Sequence, residues 1–147
     1  MLNMEYSLLL AMKEVKEKKI EEEIVDKIKD TVDMIFIDFH AEATAEKLAL
    51  GYLLDGKVTA VFGTHTHVQT ADERIMKNGT AYITDLGMTG PKESVIGMSV
   101  EVSKKRFLTS LPERYKIADG EAFLNGCIFE INDEKCRVTN IKRININ

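Results

Sequence analysis

The sequence predicts an α/β fold that ends in a β-hairpin, and three observations carry this expectation. Short runs of β-branched and aromatic residues alternate with stretches of helical period, the pattern of parallel strands separated by crossover helices. The strand-like runs are apolar throughout rather than at every second position, as strands buried on both faces are. Near the C-terminus two longer strand-like segments flank Asn132-Asp-Glu-Lys135, a turn signal.

Element by element, residues from about Glu5 to Val32 read as helix. Leu8, Met12, Val15, Ile20, Ile24, Ile28 and Val32 recur at three- to five-residue steps, and Lys and Glu fill the other face. One long helix or two would satisfy the pattern, because nothing between Lys16 and Glu23 is a strong breaker. Met34 to Phe39 is a continuous apolar run bearing one acid, Asp38, and reads as a buried strand with His40 at its C-terminal end. Thr44 to Leu54 reads as helix, and Lys57 to Phe62 as a second strand ending at Gly63-Thr-His-Thr-His67. Thr80 to Thr84 makes a third, after the turn Asn78-Gly79. Asp85 to Met98, with three glycines and Pro91, reads as a functional loop, since long irregular segments inside a domain seldom idle. Phe123 to Ile131 and Arg137 to Ile146 form the terminal hairpin.

The chain has 147 residues and 44% hydrophobic content, about one domain with enough apolar side chain to build a core without disulfides. Its net charge of −4 supplies no positive field to draw in a nucleic-acid backbone. No apolar run approaches the ~20 residues that cross a bilayer, and no secretory signal is visible. Cys127 and Cys136 are therefore expected to be reduced, in a cytoplasmic protein.

All three histidines fall at the C-terminal ends of expected strands, where open α/β sheets place their ligand crevices. His65 and His67 are two apart, so in an extended segment both rings face the same side and can reach one metal centre. Neutral imidazole is a common ligand for Fe, Mn or Zn. Asp38, two residues before His40, is a candidate to hold its second ring nitrogen, while Glu42 and Asp72 are carboxylates near enough to be recruited. Gly87-Met-Thr-Gly-Pro-Lys92 is a candidate phosphate cradle, and Lys92 and Arg74 are the nearest cations. The competing reading is a plain interaction domain with hydrogen-bonded core histidines.

Asp38-Phe-His-Ala-Glu-Ala-Thr44, Gly63-Thr-His-Thr-His-Val-Gln-Thr-Ala-Asp72 and Thr84-Asp-Leu-Gly-Met-Thr-Gly-Pro91 resemble, in order and spacing, the later half of the YmdB-type bacterial phosphoesterases, a branch of the calcineurin-like metallophosphoesterases. The resemblance covers residues 21–147 and leaves 1–20 as a helical segment of its own. It implies part of an αββα sandwich, the C-terminal half. It also implies hydrolysis of a phosphate ester such as a 2′,3′-cyclic nucleotide with two divalent transition-metal ions, Fe, Mn or Zn, and assigns His40, His65 and His67 as metal ligands. The family's first half contributes an Asp, a Glu, a bridging Asn and the adjacent general-acid His, but this sequence contains no Gly-Asp, Glu-Asn or Asn-His pair. No catalytic residue is therefore assigned here. Two metals need more donors than three imidazoles supply, so the sequence reads as a portion of the enzyme that is incomplete alone. It would form a homo-oligomer or pair with a separate N-terminal half. The alternative is a non-catalytic fragment or metal-binding module.

Overall fold

A parallel sheet organises the chain in the computed structural model, which describes residues 6–11 and 19–147. Its elements are β1 (Tyr6–Ala11), α1 (Lys19–Ile28), β2 (Met34–His40), α2 (Thr44–Leu54), β3 (Ala60–Thr64), β4 (Arg74–Ile75) and β5 (Ala81–Ile83). They are followed by β6 (Gly90–Pro91), α3 (Val100–Thr109), β7 (Ala122–Asn132) and β8 (Arg137–Ile146). One sheet runs β1-β2-β3-β5-β4, parallel except for the short edge strand β4, and a second runs β6-β7-β8, antiparallel.

The strands expected around Met34, Lys57 and Thr80, the helix at Thr44–Leu54 and the terminal hairpin all form. The single helical reading from Glu5 to Val32 does not hold. Tyr6–Ala11 is a strand, paired in parallel with Met34–Phe39, and helix begins at Lys19. Glu5 and residues 12–18 lie outside the described residues. A short apolar run such as Tyr6-Ser-Leu-Leu-Leu-Ala11 looks alike in a buried strand and a buried helix, so periodicity could not separate them.

Two cores cover the two faces of the parallel sheet. On one face Val25 of α1 and Leu50 and Leu54 of α2 pack with Ile35, Ile37, Val61 and Tyr82. The buried positions of α2, Lys47, Leu50, Gly51 and Leu54, recur at the three- and four-residue steps of one helical stripe. Gly51 is required there, since a Cβ would stand 2.7 Å from the Tyr82 ring. On the other face Phe129 of β7 meets Phe36 and Phe62 at centroid distances of 6.0 and 6.2 Å, and Val138 packs with Ala60 and Ala81. Helices, parallel sheet and antiparallel sheet thus stack as three layers. Helix α3 buries none of its residues.

Candidate metal centre

The C-terminal ends of β2 and β3 lie side by side, with His40 opposite Thr64 in the register. His40 Nδ1 is 3.0 Å from Thr64 Oγ1, which in turn is 3.3 Å from Asp38 Oδ1. A carboxylate accepts, so the Thr64 hydroxyl donates to Asp38 and receives the Nδ1–H of His40. That chain fixes the tautomer and leaves a lone pair on His40 Nε2. His40 Nε2 is 3.1 Å from His65 Nδ1, with ring centroids 5.0 Å apart. Two imidazole nitrogens bound to one ion at about 2.0–2.1 Å stand about 2.9–3.4 Å apart at neighbouring coordination positions. The pair fits that requirement without any movement; in the absence of an ion, one ring donates N–H to the other.

His67 stands apart. Its Nδ1–H donates to Ile96 O at 2.9 Å, which leaves the Nε2 lone pair available in a different place. Among the described residues no group of three or more His, Cys, Asp or Glu side chains converges on one point. The expectation that an extended H-x-H segment turns both rings to one centre is therefore corrected. Strand β3 stops at Thr64, and His65 and His67 take positive φ values of 136° and 63°. Such angles are uncommon for a residue with a Cβ, cost about 1–3 kcal/mol each, and persist where surrounding contacts impose them.

Asp85, unassigned from the sequence, holds the backbone between these two histidines. It is fully buried, and its Oδ2 accepts from Lys47 Nζ at 2.8 Å and from the Thr66 N–H, between the two histidines, at 2.9 Å. Its Oδ1 accepts the Gly87 N–H at 2.9 Å. Burial works to raise the Asp85 carboxyl, but Lys47 and the two backbone donors outweigh it and hold the group below the usual carboxylate range. Gly63 lets the strands close on this point, because a Cβ would lie 1.9 Å from Thr84 O and 2.8 Å from Lys47 Cδ. Gln69 completes the frame by setting its Nε2 3.0–3.3 Å from the carbonyls of Leu86, Gly126 and Ile144, which ties the histidine loop to the hairpin.

Several sequence candidates have other employment. Asp38 meets His40 through Thr64 rather than directly. Asp72 is held by Thr70 and Thr84, and Glu42 is exposed beside the site. Arg74 lies over the Tyr82 ring, 5.2 Å from its centroid. The Gly87–Lys92 segment spends much of its backbone elsewhere: the Gly87 N–H is committed to Asp85, Gly90–Pro91 pairs with β7, and the Lys92 N–H donates to Glu121 O. Lys92 does border a cleft of about 490 Å³ that opens beside His67. The cysteines are unpaired, and burial and Glu73 push the Cys127 thiol up to about 11, away from reactivity.

Two facing sheets with helices on one outer side and histidines gathered at the strand ends are part of a metallophosphoesterase sandwich. The chain belongs to the YmdB-like protein family, whose model matches residues 11–144. Over 129 residues it is 54% identical to the 2′,3′-cyclic-nucleotide 2′-phosphodiesterase of Bacillus subtilis strain 168, in a match covering 88% of this chain and 48% of that protein. The crystal structure of a phosphatase from Mycoplasma pneumoniae has a TM-score of 0.84 at 39% identity, covering 95% of this chain and 52% of that one. The crystal structure of a hypothetical protein from Thermus thermophilus gives 0.83 at 34% identity, covering 94% and 55%. The chain thus spans about half the length of the relatives it matches. No helix among the described residues is long and apolar enough to cross a membrane.

Proposed function

We propose that this chain is the C-terminal portion of a metal-dependent phosphoesterase acting on phosphate esters such as 2′,3′-cyclic nucleotides, and that it carries the histidine part of the metal centre. The observation that supports this is the 3.1 Å approach of His40 Nε2 and His65 Nδ1, with the His40 tautomer preset by Thr64 and Asp38. His40 and His65 would share one Fe, Mn or Zn ion, and His67, oriented by Ile96 O, would serve a second position. Bound ions would act as Lewis acids on the phosphate oxygens. The chain's own groups hold and orient: Asp85 fixes the loop, and Thr64 fixes a ring.

The rest of the ligand set and the general acid would come from a complementary half. In support, α3 and the segment after it expose the large apolar side chains Phe107 at 87%, Leu108 at 77% and Ile117 at 72%, which a partner could cover.

Metal titration with elemental analysis tests the assignment. The chain should retain Mn or Zn, the His40→Ala, His65→Ala double variant should lose it, and His67→Ala should lower the affinity less. Metal content unchanged by the double variant would remove these residues from the centre, and no metal retained by the unsubstituted chain would favour the interaction-domain reading.

A further inference from the structure

We propose that the cleft beside His67 is a nucleobase subsite, with Asn145 reading the edge of the base and Phe123 forming its apolar wall. This rests on the phosphoesterase reading above and places the base of the nucleotide that reading names. The cleft, about 490 Å³, has the size of a small-molecule site, and His67 lines it, so a ligand there lies against a residue of the centre. Its walls divide by chemistry. Met88 and Phe123, both half-buried, offer apolar surface, whereas Asn125 and Asn145 stand opposite each other on β7 and β8 and present carboxamides.

The hydrogen bonds decide what those carboxamides can still do. Asn125 Nδ2 donates to Met88 O at 3.2 Å, and Asn145 Nδ2 donates to Asn125 Oδ1 at 2.6 Å. The first bond fixes Asn125 and the second orients Asn145. Asn145 keeps its Oδ1 acceptor and one N–H donor, the two kinds of group with which a carboxamide grips the adjacent donor and acceptor on a base edge. An aromatic ring near such a reader suits a planar heterocycle, since stacking on a base is favourable whichever base it is.

Arg143 is tied through Nε to Glu73 Oε2 at 2.7 Å, and Lys92 at the rim has no ion pair among the described residues, so the lining also carries cations for a phosphate. With the base on the asparagines, the phosphate lies toward the histidines.

The test uses the full 147-residue chain, isotope-labelled and without added metal, titrated with adenosine, ribose 5-phosphate and inorganic phosphate while the asparagine side-chain amides are followed by NMR. Adenosine should shift the Asn125 and Asn145 amides, and the two phosphate compounds should not. Asn145→Ala, at an exposed position, should weaken adenosine binding about tenfold, the loss of one bidentate contact, and Phe123→Ala should weaken it as well. Equal shifts from ribose 5-phosphate or phosphate, no response to adenosine, or an unchanged Kd in Asn145→Ala would each overturn the subsite. The two readings fail separately. Metal retained without adenosine binding removes the subsite alone, whereas adenosine bound by a chain that holds no metal leaves the subsite standing and removes the metal centre.

Discussion

Lys47 and Asp85 are 1% and 0% exposed and 2.8 Å apart, so each charge depends on the other for its place in the interior. The pair is also the pin that holds Thr66 between two histidines of positive φ. Removing one partner of such a pair strands the other, at a typical cost of about 3–5 kcal/mol. Lys47→Met, which keeps the volume and deletes the charge, should lower the unfolding free energy by about that amount in urea titrations, and metal affinity should fall with it. A loss under about 1 kcal/mol would show that Asp85 does not need Lys47. Asp72 gives the pH dependence. Burial tends to raise its carboxyl, but the hydroxyls of Thr84 and Thr70 and the Thr84 N–H overcome that and hold it below the usual range. A carboxylate depressed in the folded state stabilises fully above its unfolded pKa of about 3.9 and loses that contribution as the pH falls through the folded value. Asp72→Asn should therefore cost about 1–3 kcal/mol at pH 7, and the gap between variant and wild type should narrow toward pH 3. A gap that stays constant between those pH values, read from urea midpoints, would contradict the assignment.

Between elements, the contact that most constrains the site is the closure of β3 on the chain leaving β5. At Gly63 the carbonyl of Thr84 occupies the space a Cβ would need. Gly63→Ala must separate the strands or displace Lys47, and both undo the Asp85 pin. We expect a loss of several kcal/mol, of the order of other overpacked or strained sites, together with loss of metal retention. Near-wild-type melting by circular dichroism would mean the strands can part freely here. The sequence made β2, β3, β5, α2 and the hairpin legible because each either runs apolar or carries a clear apolar stripe. It made the histidines legible because strand ends are marked by where such runs stop. It hid α3, which buries nothing and so has no stripe to read, and it hid β4 and β6, two-residue strands defined by their partners alone. It hid Asp85 and Gln69 for a related reason. Their partners, Lys47, Thr66, Gly126 and Ile144, are distant or backbone groups that no local pattern announces. The reading of His65 and His67 as one extended pair failed because their backbone leaves the extended region under contacts from outside the motif.

Across the molecule, the described residues bring two imidazoles together at one point. His40 and His65 converge, His67 points elsewhere, and no third acidic, thiol or imidazole group joins them among the described residues. A pair of metals that clamps both the attacking and the leaving oxygen needs bridging and terminal donors beyond these, and protonation of the leaving group needs an oriented acid. The relatives that this chain matches are about twice as long, which leaves room for those groups in the half of each relative that the match does not cover. We therefore expect the 147-residue chain to bind metal yet to hydrolyse neither 2′,3′-cyclic nucleotides nor p-nitrophenyl phosphate above background when supplied with Mn or Fe. Loss of a general acid alone typically costs about 10²–10⁴-fold, and loss of one metal of a pair compounds it. Mixing the chain with the separately expressed complementary half of a full-length relative should restore turnover, because the exposed apolar surface around α3 gives the halves a means to associate. His67→Ala in this chain should then abolish the restored activity while leaving the halves associated, as measured by light scattering. Robust metal-dependent turnover by the chain alone would show instead that Glu42, exposed beside His40, or another group of this chain completes the centre.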